Sequence, residues 1–207
     1  MEKVDLAKQH KQYYTAKPHP ELVDIAPAHF LSITGQGDPS GSEFATNIQA
    51  LYTTAYTIKF NSKADGCDFK VPKLEGLWWY DETQFPNIAL ADSPGKVPRS
   101  AWKYRLLLRM PDFVGKREIA RGIQAAFVKQ PSLPTENLEY FAMAEGTSVQ
   151  MLHMGPFATE LSTLIQIQEF MQTTRLVRNG LHHEIYLSDF RRTAPEKLRT
   201  ILREPVV

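Results

Sequence analysis

Apolar residues recur along this chain at two spacings, and the spacings alternate. His29-Phe30-Leu31-Ser32-Ile33-Thr34 alternates apolar and polar positions just ahead of Gly35-Gln36-Gly37, which predicts a strand. Asp38-Pro39-Ser40-Gly41-Ser42 supplies turn and capping residues, with Ser42 the expected N-cap. Phe44, Ile48, Leu51 and Ala55 then share one face of a 3.6-residue period, so a helix follows. Residues 68–72 and the aromatic-rich 76–80 return to strand. In 100–110, Trp102, Tyr104, Leu106 and Leu108 fall on one strand face. A helix over 115–130 carries Ile119, Ile123, Ala126 and Phe127 and closes at Pro131. Residues 138–143 and 148–154 read as two strands around Glu145-Gly146, a hairpin signal. Gly155-Pro156 breaks the second strand, and a helix over 159–175 carries Leu161, Leu164, Ile165 and Met171. Residues 182–187 form the expected last strand. Thr193-Ala194-Pro195-Glu196 has capping-box spacing for a short terminal helix with Leu198, Ile201 and Leu202.

Two stretches stand outside this rhythm. Residues 1–26 are polar and broken by Lys17-Pro18-His19-Pro20, which predicts an arm lying on the main body. Residues 81–99, with Pro86, Pro94 and Pro98, are long for a bare connection and read as a functional loop beside a site. The element order repeats: strand, glycine turn, helix, strand, strand over 29–80, then strand, Gly155-Pro156, helix, strand over 148–187. The expected fold is α+β, one domain over 27–207, built from tandem pseudo-twofold halves of about 29–110 and 111–190. Helices would cover one face of an antiparallel sheet and leave the other face as a ligand groove between the halves.

Composition narrows the function. The chain has 207 residues, 24 Lys plus Arg against 23 Asp plus Glu, and a formal net charge of +1. That balance argues against a general nucleic-acid binder. A single cysteine, Cys67, excludes an internal disulfide framework. No apolar run suits a membrane span and the first residues lack a signal-peptide core, so a cytoplasmic protein is expected.

Candidate chemistry gathers on the last strand. Ile185 and Leu187 share one face, Glu184 and Tyr186 the other. With the apolar pair under the helices, Glu184 would face the groove. A carboxylate among aromatics on a central strand is hydrogen-bonded, paired or used; the plain alternative is an ion pair with Arg105 or Arg109. Trp78 and Trp79 point to opposite faces, with Trp79 assigned to the groove and Trp78 to the core. Trp102 and Tyr104 share a face, as a stacking wall requires. His182 and His183 are adjacent on a strand, point apart and make no metal site. Cys67 has no nearby base, a G-x-S-x-G elbow is absent, and Gly35-Gln36-Gly37 is half a phosphate fingerprint. Arg191-Arg192 beside Asp189 reads as a solvated turn.

Four further stretches carry a resemblance: Leu74-Glu75-Gly76-Leu77-Trp78-Trp79, Met110-Pro111-Asp112-Phe113, Glu145 to Phe157, and His182 to Leu198. From about His29 to the end the chain resembles the GyrI-like small-molecule-binding domain proteins, in their standalone branch. Phe190 departs from the proline usual there. The resemblance implies tandem strand–helix–strand–strand units with a ligand groove between them. It also implies a Glu at position 184 meeting cationic aromatic drugs, as in effector domains of multidrug-responsive regulators. Some standalone relatives open the cyclopropane ring of DNA-alkylating natural products by hydrolysis, which makes that a candidate activity. The expected catalytic residues are Glu184, as base, and Tyr104, as donor to the oxygen that gains charge. Ligand contacts are expected from Trp79, Trp78, Trp102, Tyr186, His153 and Phe157. The expected partner is a small aromatic or cationic ligand, with no metal, organic cofactor, nucleic acid or membrane. A non-catalytic binder or sensor of lipophilic cationic drugs is the alternative.

Overall fold

In the computed structural model, which describes residues 3–207, the elements run α1 (Leu6–Gln9), β1 (Glu21–Ile25), β2 (Ala28–Gln36), α2 (Ser42–Ala64), β3 (Glu75–Trp79), α3 (Ser93–Lys96), β4 (Lys103–Arg109), α4 (Lys116–Lys129), β5 (Leu138–Met143), β6 (Gly146–Met154), α5 (Leu161–Thr174), β7 (His182–Tyr186) and β8 (Arg199–Pro205). The strands form one antiparallel sheet in the order β1-β6-β8-β7-β3-β4-β2-β5. The pseudo-twofold is visible in that order. β2-β4-β3 from β2-α2-β3-β4 mirrors β6-β8-β7 from β6-α5-β7-β8, and the axis passes between β3 and β7. The fold is α+β with tandem halves, as the pattern predicts.

The second half ends differently from expectation. Residues 199–205 are a strand between β6 and β7, not a helix, and only a 3-10 turn at Pro195–Lys197 answers the capping signal. Leu202 points to one side, Ile201 and Arg203 to the other, and all are buried. Capping-box spacing marks a turn, but the central slot of a sheet outweighs it. Gly41, not Ser42, caps α2, and residues 68–72 make only an isolated bridge from Phe69 to Val4.

Nor do β5 and β6 form a hairpin: β5 pairs with β2 while β6 pairs with β1 and β8. Glu145-Gly146 does turn the chain, with Gly146 at φ +65°, but between the two ends of the sheet. Three residues reach at most about 11 Å. Six flat inter-strand steps would span about 29 Å. The sheet must therefore curl until its ends approach, and the short link from β1 to β2 imposes the same closure.

Curling gives the sheet an inner and an outer face. Strands from end to end contribute to one inner cluster: Val23, Ile25, Phe30, Leu77, Leu107, Ile185 and Ile201. The N-terminal segment plugs it with Leu6, Tyr13 and Tyr14. The helical outer face splits in two. On one side α2 and α4 press Ile48, Leu51, Ile58 and Ile119 on Leu31, Ile33, Leu106 and Leu108. On the other, α5 presses Leu164, Ile167 and Met171 on Val149, Met151 and Leu202. α2 and α4 approach closely at Gly122, where a Cβ would meet Ile58 at 2.2 Å.

The expected groove on the face without helices is therefore filled. It also holds a buried charge network. Arg203, fully buried, donates to Glu145 Oε2 (3.0 Å), the Tyr13 carbonyl (2.8 Å) and Gln150 Oε1 (2.9 Å). His183 bridges Glu145 (2.8 Å) and Glu75 (3.1 Å), and Glu75 accepts the Tyr13 hydroxyl. Each buried charge meets an opposite one, which is what its burial requires. On the outer face a seam runs between the α2–α4 block and α5, above β3 and β7.

Residues 81–99 bridge the seam's flank. Leu90 and Ala91 pack against α5, and the Ala91 amide donates to Gln168 Oε1 at 3.2 Å. Two 3-10 turns and α3 give this segment its own structure. Among the described residues, no helix is long and apolar enough to cross a membrane.

Candidate functional site

The site follows from strand parity at the pseudo-twofold axis. Gly76 of β3 sits opposite Glu184 of β7, and Trp78 opposite both His182 and Tyr104. Facing residues of an antiparallel pair share a sheet face, so Trp78, Tyr104, His182, Glu184 and Tyr186 all lie on the outer face. Gly76 is small for a reason. A Cβ there would stand 2.9 Å from Trp78 Nε1 and 3.0 Å from the Tyr186 hydroxyl. Those atoms are joined across it, Trp78 Nε1–H donating to Tyr186 Oη at 3.1 Å.

Glu184 thus faces the helical side, under the seam. Ile185, expected under the helices, instead joins the inner cluster with the N-terminal segment. Both faces are covered, so apolar parity alone cannot tell them apart. Arg105 and Arg109 are on the inner face: Arg105 pairs with Glu139 and donates to Ser32 Oγ, and Arg109 lies over the Tyr13 ring. Neither reaches Glu184.

The aromatic assignments change accordingly. Trp79 pairs with Lys103 and points inward with Glu75 and Leu77, so Trp78, not Trp79, accompanies Glu184. Trp102 packs edge-on to Trp78 and Tyr80, at centroid distances of 6.4 and 5.2 Å. Tyr104 is fully buried beneath α2, accepts from Asn47 Nδ2 at 3.0 Å, and presses so closely on Gly35 that a Cβ there would meet its hydroxyl at 2.3 Å. It backs the Trp78 ring (5.6 Å) with Phe44 and cannot offer its hydroxyl to a ligand in this conformation. Phe157, Tyr186 and Phe190 form a triangle of edge-on rings 5.7–5.9 Å apart, with Phe157 39% exposed at the mouth of the seam. His153 is buried and bonds Thr163 Oγ1 (2.9 Å) and the Pro156 carbonyl (3.2 Å), pinning the turn that carries Phe157 and Glu160.

Charge completes the site. Glu184 Oε1 lies 3.4 Å from His182 Nε2, while His182 Nδ1 meets Glu204 Oε1 and Arg178 donates to Glu204 Oε2 at 2.9 Å. Burial alone would lower the His182 imidazole; Glu204 and Glu184 outweigh it and push it up to about 10. At the start of α5, Glu160 has a buried Oε1 with no hydrogen-bond partner. Burial, then the charge of Glu184, holds the Glu160 carboxyl well above the ordinary carboxylate range. Burial and Glu184 likewise hold the Tyr186 hydroxyl protonated. The arrangement sets a protonated Glu160 carboxyl in the field of Glu184, walled by aromatic rings and flanked by the His182 cation.

Glu160, His182, Glu204 and Phe190 were not legible as site residues. An acid in a first helical turn reads as complementing the helix dipole, and Glu204 lies beyond the last residue the terminal-helix pattern marks. The sequence offers His182 no role beyond that of a metal ligand.

No protein-family model and no curated protein matches the chain. Solved structures do. A hydrolase from Listeria innocua is 38% identical, with a TM-score of 0.84, over 99% of this chain and 100% of its own. The chain belongs to its family. A second hydrolase and an uncharacterized conserved protein of the same organism are 37% and 39% identical, with TM-scores of 0.86 and 0.87, over at least 99% of both chains. The likeness to the Listeria family runs end to end, so the seam and its charged groups lie inside the shared region. The fold is also that of the EcmrR C-terminal domain, with a TM-score of 0.54 at 12% identity over 91% of this chain and 97% of that one.

Proposed function

We propose that the chain is a GyrI-like small-molecule-binding protein that takes flat aromatic ligands and hydrolyses cyclopropane-bearing DNA-alkylating compounds, a detoxifying activity in the cytoplasm. The observation that carries it is the Glu160–Glu184 pair beside the Trp78–Tyr186–Phe157–Phe190 rings. Membership with hydrolases from Listeria innocua supports the reaction class. A planar substrate slides along the rings, with Phe157 and Phe190 moving aside to admit it.

Glu184 takes a proton from a water as the water oxygen bonds to a ring carbon. The strained carbon–carbon bond breaks, and its electron pair passes through the conjugated system to a carbonyl oxygen. Glu160 gives that oxygen its proton. The elements of water have been added, the hydroxyl on the ring carbon and the proton on the former carbonyl oxygen, and the proton now on Glu184 returns to Glu160 to reset the pair. A carboxyl kept protonated beside a second carboxyl can serve as the acid while its neighbour serves as the base. Tyr104, buried under α2, is replaced in the donor role by Glu160.

A purely binding site for lipophilic cations would use Glu184 as counter-charge and has no use for a proton held on Glu160. Glu184→Gln separates the two readings. If hydrolysis occurs, kcat falls roughly a hundredfold or more while affinity for a neutral flat ligand holds. Loss of affinity for cations alone, with no turnover in the unmodified protein, would replace the enzyme by the binder.

A further inference from the structure

His182 is absent from the reaction just described, yet it is the most constrained side chain at the site. Each ring nitrogen faces a carboxylate: Nδ1 meets Glu204 Oε1, and Nε2 lies 3.4 Å from Glu184 Oε1. A neutral imidazole has one N–H and one lone pair, so it could satisfy only one of these and would turn its lone pair on the other. Both contacts are attractive only when both nitrogens carry protons. Glu204 is fully buried and is itself clamped from the other side by Arg178 Nε at 2.9 Å. The result is an ordered row, Arg178–Glu204–His182–Glu184, running from the loop before β7 across β8 into the site.

We propose that His182 is a permanently cationic positioning residue, held in that state by the carboxylates of Glu204 and Glu184, with Glu204 itself fixed by Arg178, and that it orients the Glu184 carboxylate beside Glu160. The role rests on the hydrolytic reading above for its consequence, but not for its physical basis. Two effects follow from the geometry. Oε1 of Glu184 is tied to the ring, and the Tyr186 hydroxyl also bonds this carboxylate, so its orientation is fixed from two sides. His182 also makes its ion pair with Glu184, while burial and the Glu184 charge hold the Glu160 carboxyl up against the opposing pull of His182. The groups facing this cluster are Glu204, Glu184, Glu160, Tyr186 and Arg178. Burial and Glu184 keep the Tyr186 hydroxyl protonated. The same device recurs on the inner face, where His183 bridges Glu75 and Glu145, but there no seam gives it a substrate.

The test reads the ring directly. In uniformly 15N-labelled full-length protein, long-range 15N–1H correlation spectra resolve the two nitrogens of each histidine. The expected result is a His182 ring doubly protonated from pH 5 to at least pH 8.5, consistent with a value pushed up to about 10. Glu204→Gln should bring its titration down by at least a unit. A His182 ring that loses a proton near the ordinary histidine value of about 6.5 would overturn the assignment, as would a titration unmoved in Glu204→Gln. For the positioning role, His182→Gln, which keeps a donor without the charge, should lower kcat on a cyclopropane substrate at least tenfold, change KM less than threefold, and displace the acid limb of the kcat profile. A kcat and pH profile unchanged in His182→Gln would also overturn it. Absence of turnover in the unmodified protein would defeat the hydrolytic reading, and the ring-proton spectra, which need no substrate, would still decide for or against the clamp.

Discussion

Arg203→Met asks whether the inner charge network locks the curled sheet. The guanidinium is fully buried between β6 and β7 and makes four hydrogen bonds: one to Glu145, one to the Tyr13 carbonyl and two to Gln150. Methionine nearly fills the volume but leaves the Glu145 carboxylate without its cation and the Tyr13 carbonyl without a donor. His183 remains as a partner for Glu145 at 2.8 Å, which moderates the loss. Breaking a buried ion pair from one side costs about 3–5 kcal/mol, so about 3 kcal/mol is expected here. For a chain of this length that lowers Tm by about 6–12 °C. Urea denaturation followed by tryptophan fluorescence reads the free energy. Because the penalty is mostly the stranded Glu145, adding Glu145→Gln should return about 1–2 kcal/mol of it, a coupling expected of groups in direct contact. A loss below about 1 kcal/mol in Arg203→Met, or double-variant costs that simply add, would refute the claim that the network locks the inner face.

Other perturbations reach other parts of the account. Gly76→Ala should part Trp78 from Tyr186, costing about 1–3 kcal/mol by overpacking and weakening ligand binding more than Gly122→Ala, which clashes far from the seam; calorimetric titration with a flat aromatic ligand checks the difference. Glu160→Gln replaces a neutral carboxyl by a neutral amide, so stability at pH 7 should change by less than about 1 kcal/mol while turnover falls roughly a hundredfold; a stable variant with full turnover contradicts the donor role. Stability should also fall in acid. Glu145 is buried, which alone would raise it, but His183 and Arg203 bring it down to about 2 from an ordinary 4.5, so its contribution is full above pH 4.5 and is lost as pH falls toward 2. His183, lowered by burial but raised overall by Glu145, contributes below pH 6.5 and loses its part as pH rises through its raised value. Urea midpoints between pH 2 and 9 should therefore decline at both ends, and a flat acid limb would contradict the network.

Much of this architecture was legible in the residues because helix and strand periods differ so plainly. Phe44, Ile48, Leu51 and Ala55 all bury on one face of α2, and the strand–helix–strand–strand order repeats as the pattern suggested. What stayed hidden was long-range. Period-two alternation says that Ile185 and Glu184 face apart, but with both faces covered it cannot say which face holds the helices, and so Trp79 was preferred over Trp78. Residues 199–205 read as helix because β8 owes its strand state to neighbours 45 or more positions away on β6, such as Leu152 opposite Ile201, and not to its own spacing. Glu160 and Glu204 gain meaning only when the fold sets them beside Glu184 and His182, and no local pattern distinguishes such an acid from a solvated one.

The seam between the two helical blocks is proposed to add water to a strained ring by means of Glu184 and Glu160. Incubation with a cyclopropane-bearing alkylating compound in water enriched in 18O, followed by mass spectrometry, tests it directly. The account predicts a ring-opened product carrying one 18O, formed at a rate that falls roughly a hundredfold in both Glu184→Gln and Glu160→Gln, each variant still folded. A product yield equal to that without protein, or one unaffected by either substitution, would contradict it.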